Sequence, residues 1–185
     1  MMILPNAIKG FFRRFRKETR ATVAVEAVII LPILFWAYMA MFVFFDAFRQ
    51  TSINQKAAFT IGDMLSRETT AINNDYLDGL DNMFKFLARS DDTARLRVTV
   101  VRWHEKSEKF RRDWSQTRGD VDALTASNVA DMTDVLPVVP DGERIILVET
   151  WSHYRAPFNI GPLSQDLHNR VFTRPRFAPK LVWES

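Results

Sequence analysis

The chain has 185 residues, 47% of them hydrophobic and 25% charged, with a formal net charge of +3 and no cysteine. That length suits one modest domain with something added, and the composition excludes a chain disordered throughout. Without cysteine there is no disulfide staple, no Cys-based zinc or iron–sulfur site and no catalytic thiol.

The charge is unevenly spread. Residues 1–21 carry six Lys/Arg (Lys9, Arg13, Arg14, Arg16, Lys17, Arg20) against one acid, Glu18, a balance of +5. The other 164 residues carry 19 Lys/Arg against 21 Asp/Glu, a balance of −2. The basic character therefore belongs to one short segment, and a basic body built to hold nucleic acid is not what this chain is.

From Ala27 to Phe45 run 19 residues without a formal charge, AVIILPILFWAYMAMFVFF. As a helix they span about 28 Å, close to the hydrocarbon thickness of a bilayer. A secretory signal has a shorter apolar run and then a small-residue cleavage site, whereas this run ends in Phe-Phe-Asp-Ala-Phe-Arg. It reads as a retained membrane helix over residues 22–45. A buried core helix is the bland alternative, but core helices rarely run this long without a polar face. Pro32 falls one turn into the run and is expected to loosen or kink its first turns, which membrane helices accept. The cations before the span put the N-terminus in the cytoplasm and residues 46–185 across the membrane. The motif FFRRFRK also fits a nucleic-acid patch or an amphipathic anchor, but its place directly before a span favours topogenic charge.

Glu26 lies at the membrane end of this apolar helix, where a carboxylate costs a few kcal/mol deep in lipid and less near the interface. One reading is an interfacial Glu that reaches water beside Arg20. The other is a charge that meets a cationic partner inside an assembly.

A basic leader, a small residue, then four residues and a Glu before a long apolar helix is the N-terminal pattern of type IV pilins and pseudopilins. The segment T-V-A-V-E-A-V-I-I-L-P resembles the TadE-like minor pseudopilins of tight-adherence (Flp) pilus systems, whose form is close to Gly and then V-A-V-E-F-A-L-x-L-P. Ala21 stands where Gly is usual, and Ala27 where an aromatic is common. A weaker likeness continues in the helical stretch that follows and in Arg174-Pro175-Arg176. The resemblance implies that prepilin peptidase cuts between Ala21 and Thr22, making Glu26 the fifth residue of the mature chain. It also implies that Glu26 meets the N-terminal amine of a neighbouring subunit. In a low-dielectric bundle such a pair relieves two desolvation costs at once.

Beyond the span, Ile53, Ala57, Ile61 and Leu65 share one helical face, so the membrane helix is expected to continue to about Gly62. Alternatively the stripe is the first core helix after a kink near Asp46. Asn73 and Asn74 are N-cap types for a second helix carrying Leu77, Leu80, Phe84 and Leu87, closed by Ser90–Asp92. Period-two alternation predicts a strand from Leu96 to about Trp103, with Phe110, Arg112 and Trp114 as its hairpin partner. Residues 122–135 read as weakly helical. Ile145–Tyr154 is the strongest strand, and Arg170–Val182 is expected to be an edge strand because Pro175 and Pro179 cannot donate to a ladder. The expected fold is α+β and pilin-like: a long N-terminal transmembrane helix entering a domain with helices on one face of a small antiparallel sheet.

Little suggests catalysis. HEKSE at 104–108 lacks the second histidine of a zincin motif, and His104, His153 and His168 form no ligand spacing. The Arg-Gly-Asp triplet at 118–120 is too short to carry an adhesion argument. No phosphate loop and no nucleophile elbow occur, so no enzyme, cofactor or small-molecule substrate is expected. Trp103, Trp114, Trp151 and Trp183 fall in the expected sheet region, as core and cross-strand packing or as a partner surface. The sequence thus points to a minor pseudopilin or pilus assembly component. Its expected place is the bacterial inner membrane as a single-pass protein with a periplasmic domain, with a role in cell adhesion through the pilus. Its partners would be the lipid bilayer, other pilin subunits, pilus assembly proteins and prepilin peptidase. The alternative is an unprocessed, signal-anchored envelope receptor or accessory protein that binds a periplasmic partner.

Overall fold

The computed structural model describes residues 19–90, 93–158 and 164–184; the basic leader up to residue 18 lies outside them. Helix α1 (Thr19–Arg67) runs 49 residues without interruption, through Pro32. No glycine occurs in it before Gly62, so no glycine relaxes the backbone between the apolar run and the domain. The helix ends five residues beyond the expected Gly62. Gly62 is buried, and a Cβ there would meet the Val171 side chain at 3.3 Å. This glycine lets the helix approach the sheet closely and does not stop it.

Helix α2 (Asn74–Ala88) starts at Asn73, whose side chain accepts the Tyr76 N–H at 3.0 Å. It buries Leu77, Leu80, Phe84 and Ala88 along one stripe and ends at Arg89, which takes the left-handed conformation at φ 51°. Strands β1 (Arg95–His104) and β2 (Lys109–Arg118) form the expected hairpin, with Glu108 at φ 48° closing its turn. Strand β3 (Arg144–Tyr154) pairs with β1, and β4 (Gln165–Thr173) pairs with β3. The sheet order is β2-β1-β3-β4, antiparallel throughout.

Three expectations need correction. The edge strand is Gln165–Thr173 rather than Arg170–Val182, because pairing stops before Pro175. The residues after it form a strap: the Arg176 N–H reaches the Ser66 carbonyl, and Ile72 exchanges backbone hydrogen bonds with Val182 and Glu184. Secondly, residues 122–135 hold only a one-turn helix, α3 (Ala126–Ala130), fixed by a capping box between Thr125 and Asn128. Thirdly, the helices do not share one face. Alternation along β1 and β3 points Leu96, Val98, Val100, Ile146 and Val148 toward α1 and α2. It points Val101, Trp103, Ile145 and Leu147 toward α3. Each fully buried large aliphatic in these cores contributes roughly 1.5–3 kcal/mol.

Candidate functional site

The first half of α1 stands clear of the domain. It includes a stretch long and apolar enough to cross a membrane, near the N-terminus. Its side chains, among them Val28, Leu31, Phe35, Trp36 and Phe45, are exposed. Glu26 is exposed near the start of this stretch, about 30 Å along the axis from Asp46. Ala21 and Thr22 lie within the helical backbone, and their side chains fall outside the described residues.

The second half of α1 is docked onto the sheet along one seam. Val43 and Ala47 are buried, and beyond them Asn54, Ala57, Ala58, Ile61 and Leu65 follow at helical spacing. Polar side chains fix this seam. Tyr154, at the end of β3, donates its hydroxyl to Asp46 Oδ2 at 2.9 Å. Burial, and then the bond to Asp46, push the Tyr154 phenol up to about 12. Gln50 donates to the Ala88 carbonyl at the end of α2. Asn54 is fully buried; it donates to the Gln50 carbonyl and accepts the Ser152 hydroxyl at 2.6 Å. Sequence reasoning found the apolar stripe but not Asn54 or Gln50. Their four-residue spacing after Asp46 was the available signal.

The opposite face of the sheet divides in two. Near α3 it is covered by the apolar cluster; toward β4 it carries a polar and aromatic group. Glu149 of β3 is fully buried there. Arg97 of β1 lies 2.6 Å from its Oε2, and Arg170 of β4 lies 3.1 Å from its Oε1. Trp151 stacks on His168, with ring centroids 4.7 Å apart and planes 4° from parallel, and the Arg97 guanidinium lies 5.0 Å from the Trp151 ring. The His168 imidazole titrates below its ordinary value. Burial is the main cause and the Arg170 and Arg97 charges add to it, outweighing the pull of Glu149. The ring is therefore neutral near pH 7, and two guanidiniums face one carboxylate. Because Glu149 is committed to both arginines, the group is suited to docking through charge and stacking and poorly suited to accepting a proton.

The other residues singled out in the sequence are structural. Trp103 packs across the hairpin on Phe110, and Trp114 packs on Trp183 while donating to the Leu181 carbonyl at 2.9 Å. Of the four tryptophans in the sheet region, Trp151 is the one that core packing does not absorb. In the Arg-Gly-Asp triplet, Arg118 is tied to Asp78 and to the Asn74 carbonyl, and Gly119 takes φ +80°. His104 ends β1, and His153 pairs with Asp166 at 2.8 Å. Among the described residues no three His, Asp or Glu side chains converge as a metal-binding set. Compared with family models, curated proteins and solved structures, the chain matches none of them.

Proposed function

We propose that the protein is a TadE-like minor pseudopilin, a non-enzymatic assembly component of a tight-adherence pilus or secretion system. It acts by association of membrane helices and by docking of subunits. One observation carries this reading: a single helix runs through the T-V-A-V-E-A segment, stays bare and apolar for its first half, and forms the spine of a small α+β domain with its second. A bare apolar surface of this length calls for lipid or other helices around it. Glu26 at its start then has a role for its charge: it pairs with the amine that cleavage before Thr22 would create on a neighbouring subunit. The protein sits in the inner membrane with its domain in the periplasm.

The test is the N-terminal sequence and intact mass of the protein recovered from its own host's membranes. A chain starting at Thr22 is expected. A chain starting at Met1 or Met2 moves the weight to the second reading, an uncleaved anchored receptor or accessory protein. Ala21 in place of glycine is the observation that favours that reading. Glu26→Gln is expected to leave insertion intact and to weaken co-purification of partner subunits, whereas an uncleaved anchor tolerates Glu26→Leu.

A further inference from the structure

The residues that follow β3, through Phe158, reach down α1 to the apolar run. Tyr154 is buried against the helix, its hydroxyl bonded to Asp46 and 3.4 Å from the Val43 carbonyl. Ala47, Tyr154 and Leu167 form a small buried cluster, with Ala156 packed on it. Further along, the Phe158 ring meets Phe42 edge-on, with centroids 6.1 Å apart and planes at 60°. Phe42 belongs to the uncharged run Ala27–Phe45 and lies about 6 Å along the axis inside Asp46. The domain therefore overlaps the last turn of the apolar run and does not stand off from it.

Both rings keep free surface, Phe42 at 47% and Phe158 at 44% exposure. Around them, Met41, Phe44 and Phe45 on α1 are exposed as well, so Phe158 continues an apolar surface that belongs to the run. In the sequence no formal charge occurs between Arg155 and Asp166. An aromatic ring at this depth matches the headgroup–acyl boundary, where amphipathic and aromatic groups are favoured.

We propose that Phe158 is a second membrane contact, seated in the boundary of the leaflet from which α1 emerges, with lipid as its partner. This rests on the reading of α1 as a membrane span. A single helix leaves a rigid domain free to tilt against the bilayer; a second contact to one side of the helix axis limits that tilt. The sheet face bearing Trp151, Arg97 and Arg170 is thereby held in a constant orientation to the membrane, as docking between neighbouring subunits requires.

The chain has no cysteine, so single-cysteine spin labelling of the full-length protein is clean. The protein is placed in phosphatidylethanolamine–phosphatidylglycerol vesicles, and collisions of the label with oxygen and with a water-soluble nickel chelate are compared at three sites. Leu34→Cys marks the middle of the run. Phe177→Cys marks a ring 69% exposed at the far end of the domain, next to the residue whose N–H meets the Ser66 carbonyl. At Phe158→Cys the expected result is high oxygen collision with nickel collision several-fold below that at position 177. Nickel collision equal to that at position 177, with position 34 protected, overturns the second contact and leaves the span standing. Nickel collision at all three positions overturns the span and the proposal together. Low collision with both reagents at position 158 shows a protein seat, such as a second copy of the chain, and also overturns it. Phe158 lies outside the packed cores, so the label displaces no core side chain.

Discussion

Glu149 is fully buried, and its charge is tolerated because Arg97 and Arg170 approach it from the two strands that flank β3. Removing the carboxylate leaves two guanidiniums facing each other across a neutral side chain. Glu149→Gln is expected to destabilise the domain by about 2–3 kcal/mol, less than the roughly 3–5 kcal/mol of a fully buried pair, because Arg170 is partly exposed. Denaturant unfolding of the detergent-solubilised protein, followed by tryptophan fluorescence, measures this. His168 beside it gives a pH dependence of definite sign. Its folded value lies below the usual 6.5, so above that pH both folded and unfolded chains hold it neutral. As the pH falls the unfolded chain binds the proton first, and stability is lost until the pH has passed through the folded value. The unfolding midpoint should fall below pH 6.5 in the native protein and fall less in His168→Gln; equal slopes would remove His168 as the cause.

At the scale of elements, the seam between α1 and the sheet couples the bare apolar half of the helix to the domain. Asn54 and Ser152 meet in a buried site, so cutting either partner strands the other. Asn54→Ala and Ser152→Ala should each cost about 1–3 kcal/mol, and the double substitution less than their sum. A double-mutant cycle on the unfolding midpoint checks the coupling, and strict additivity would show that the two side chains act independently. Tyr154 adds an alkaline limit. Its phenol is held protonated to about pH 12, whereas the unfolded chain ionises near 10, so the seam loses stability as the pH rises between those values. Burial also raises the Tyr76 phenol, so an ultraviolet phenolate titration should show a component ionising near pH 12 that disappears in Tyr154→Phe while the Tyr76 component remains.

At the scale of the whole molecule, an exposed apolar half-helix and a well-packed domain share one rigid element, and on the proposed reading the charge asymmetry around the helix sets its orientation in a membrane. With no native cysteine, orientation can be read directly. Phe86→Cys, at a ring 82% exposed on α2, should react with a membrane-impermeant maleimide in intact spheroplasts. In cells lacking prepilin peptidase, where the leader is retained, Asn6→Cys should react only after the membrane is opened. The opposite pattern would invert the topology and remove the periplasmic assignment.

Features whose signals are local were legible in the chain itself. The uncharged run, the stripe through Ala57, Ile61 and Leu65, the Asn73 cap, the β1–β2 hairpin and the core of β3 each rest on periodicity or capping within a few turns of chain, and the structure has them. The pairing of Glu149 with Arg97 and Arg170, the polar seam of Asn54 with Ser152, and the contact of Phe158 with Phe42 were decided only by the tertiary structure. Their partners lie 52, 98 and about 116 residues apart in sequence for the first arginine, the seam and the ring pair. The division of helices between two faces was decided in the same way. β3 is apolar on both sides at its start, and alternation alone does not say which side receives which helix. The last strand was displaced for a related reason: an edge strand is specified by its neighbour's free hydrogen bonds, and β3 offers them along Ile146–Tyr154, which the segment before Pro175 reaches first.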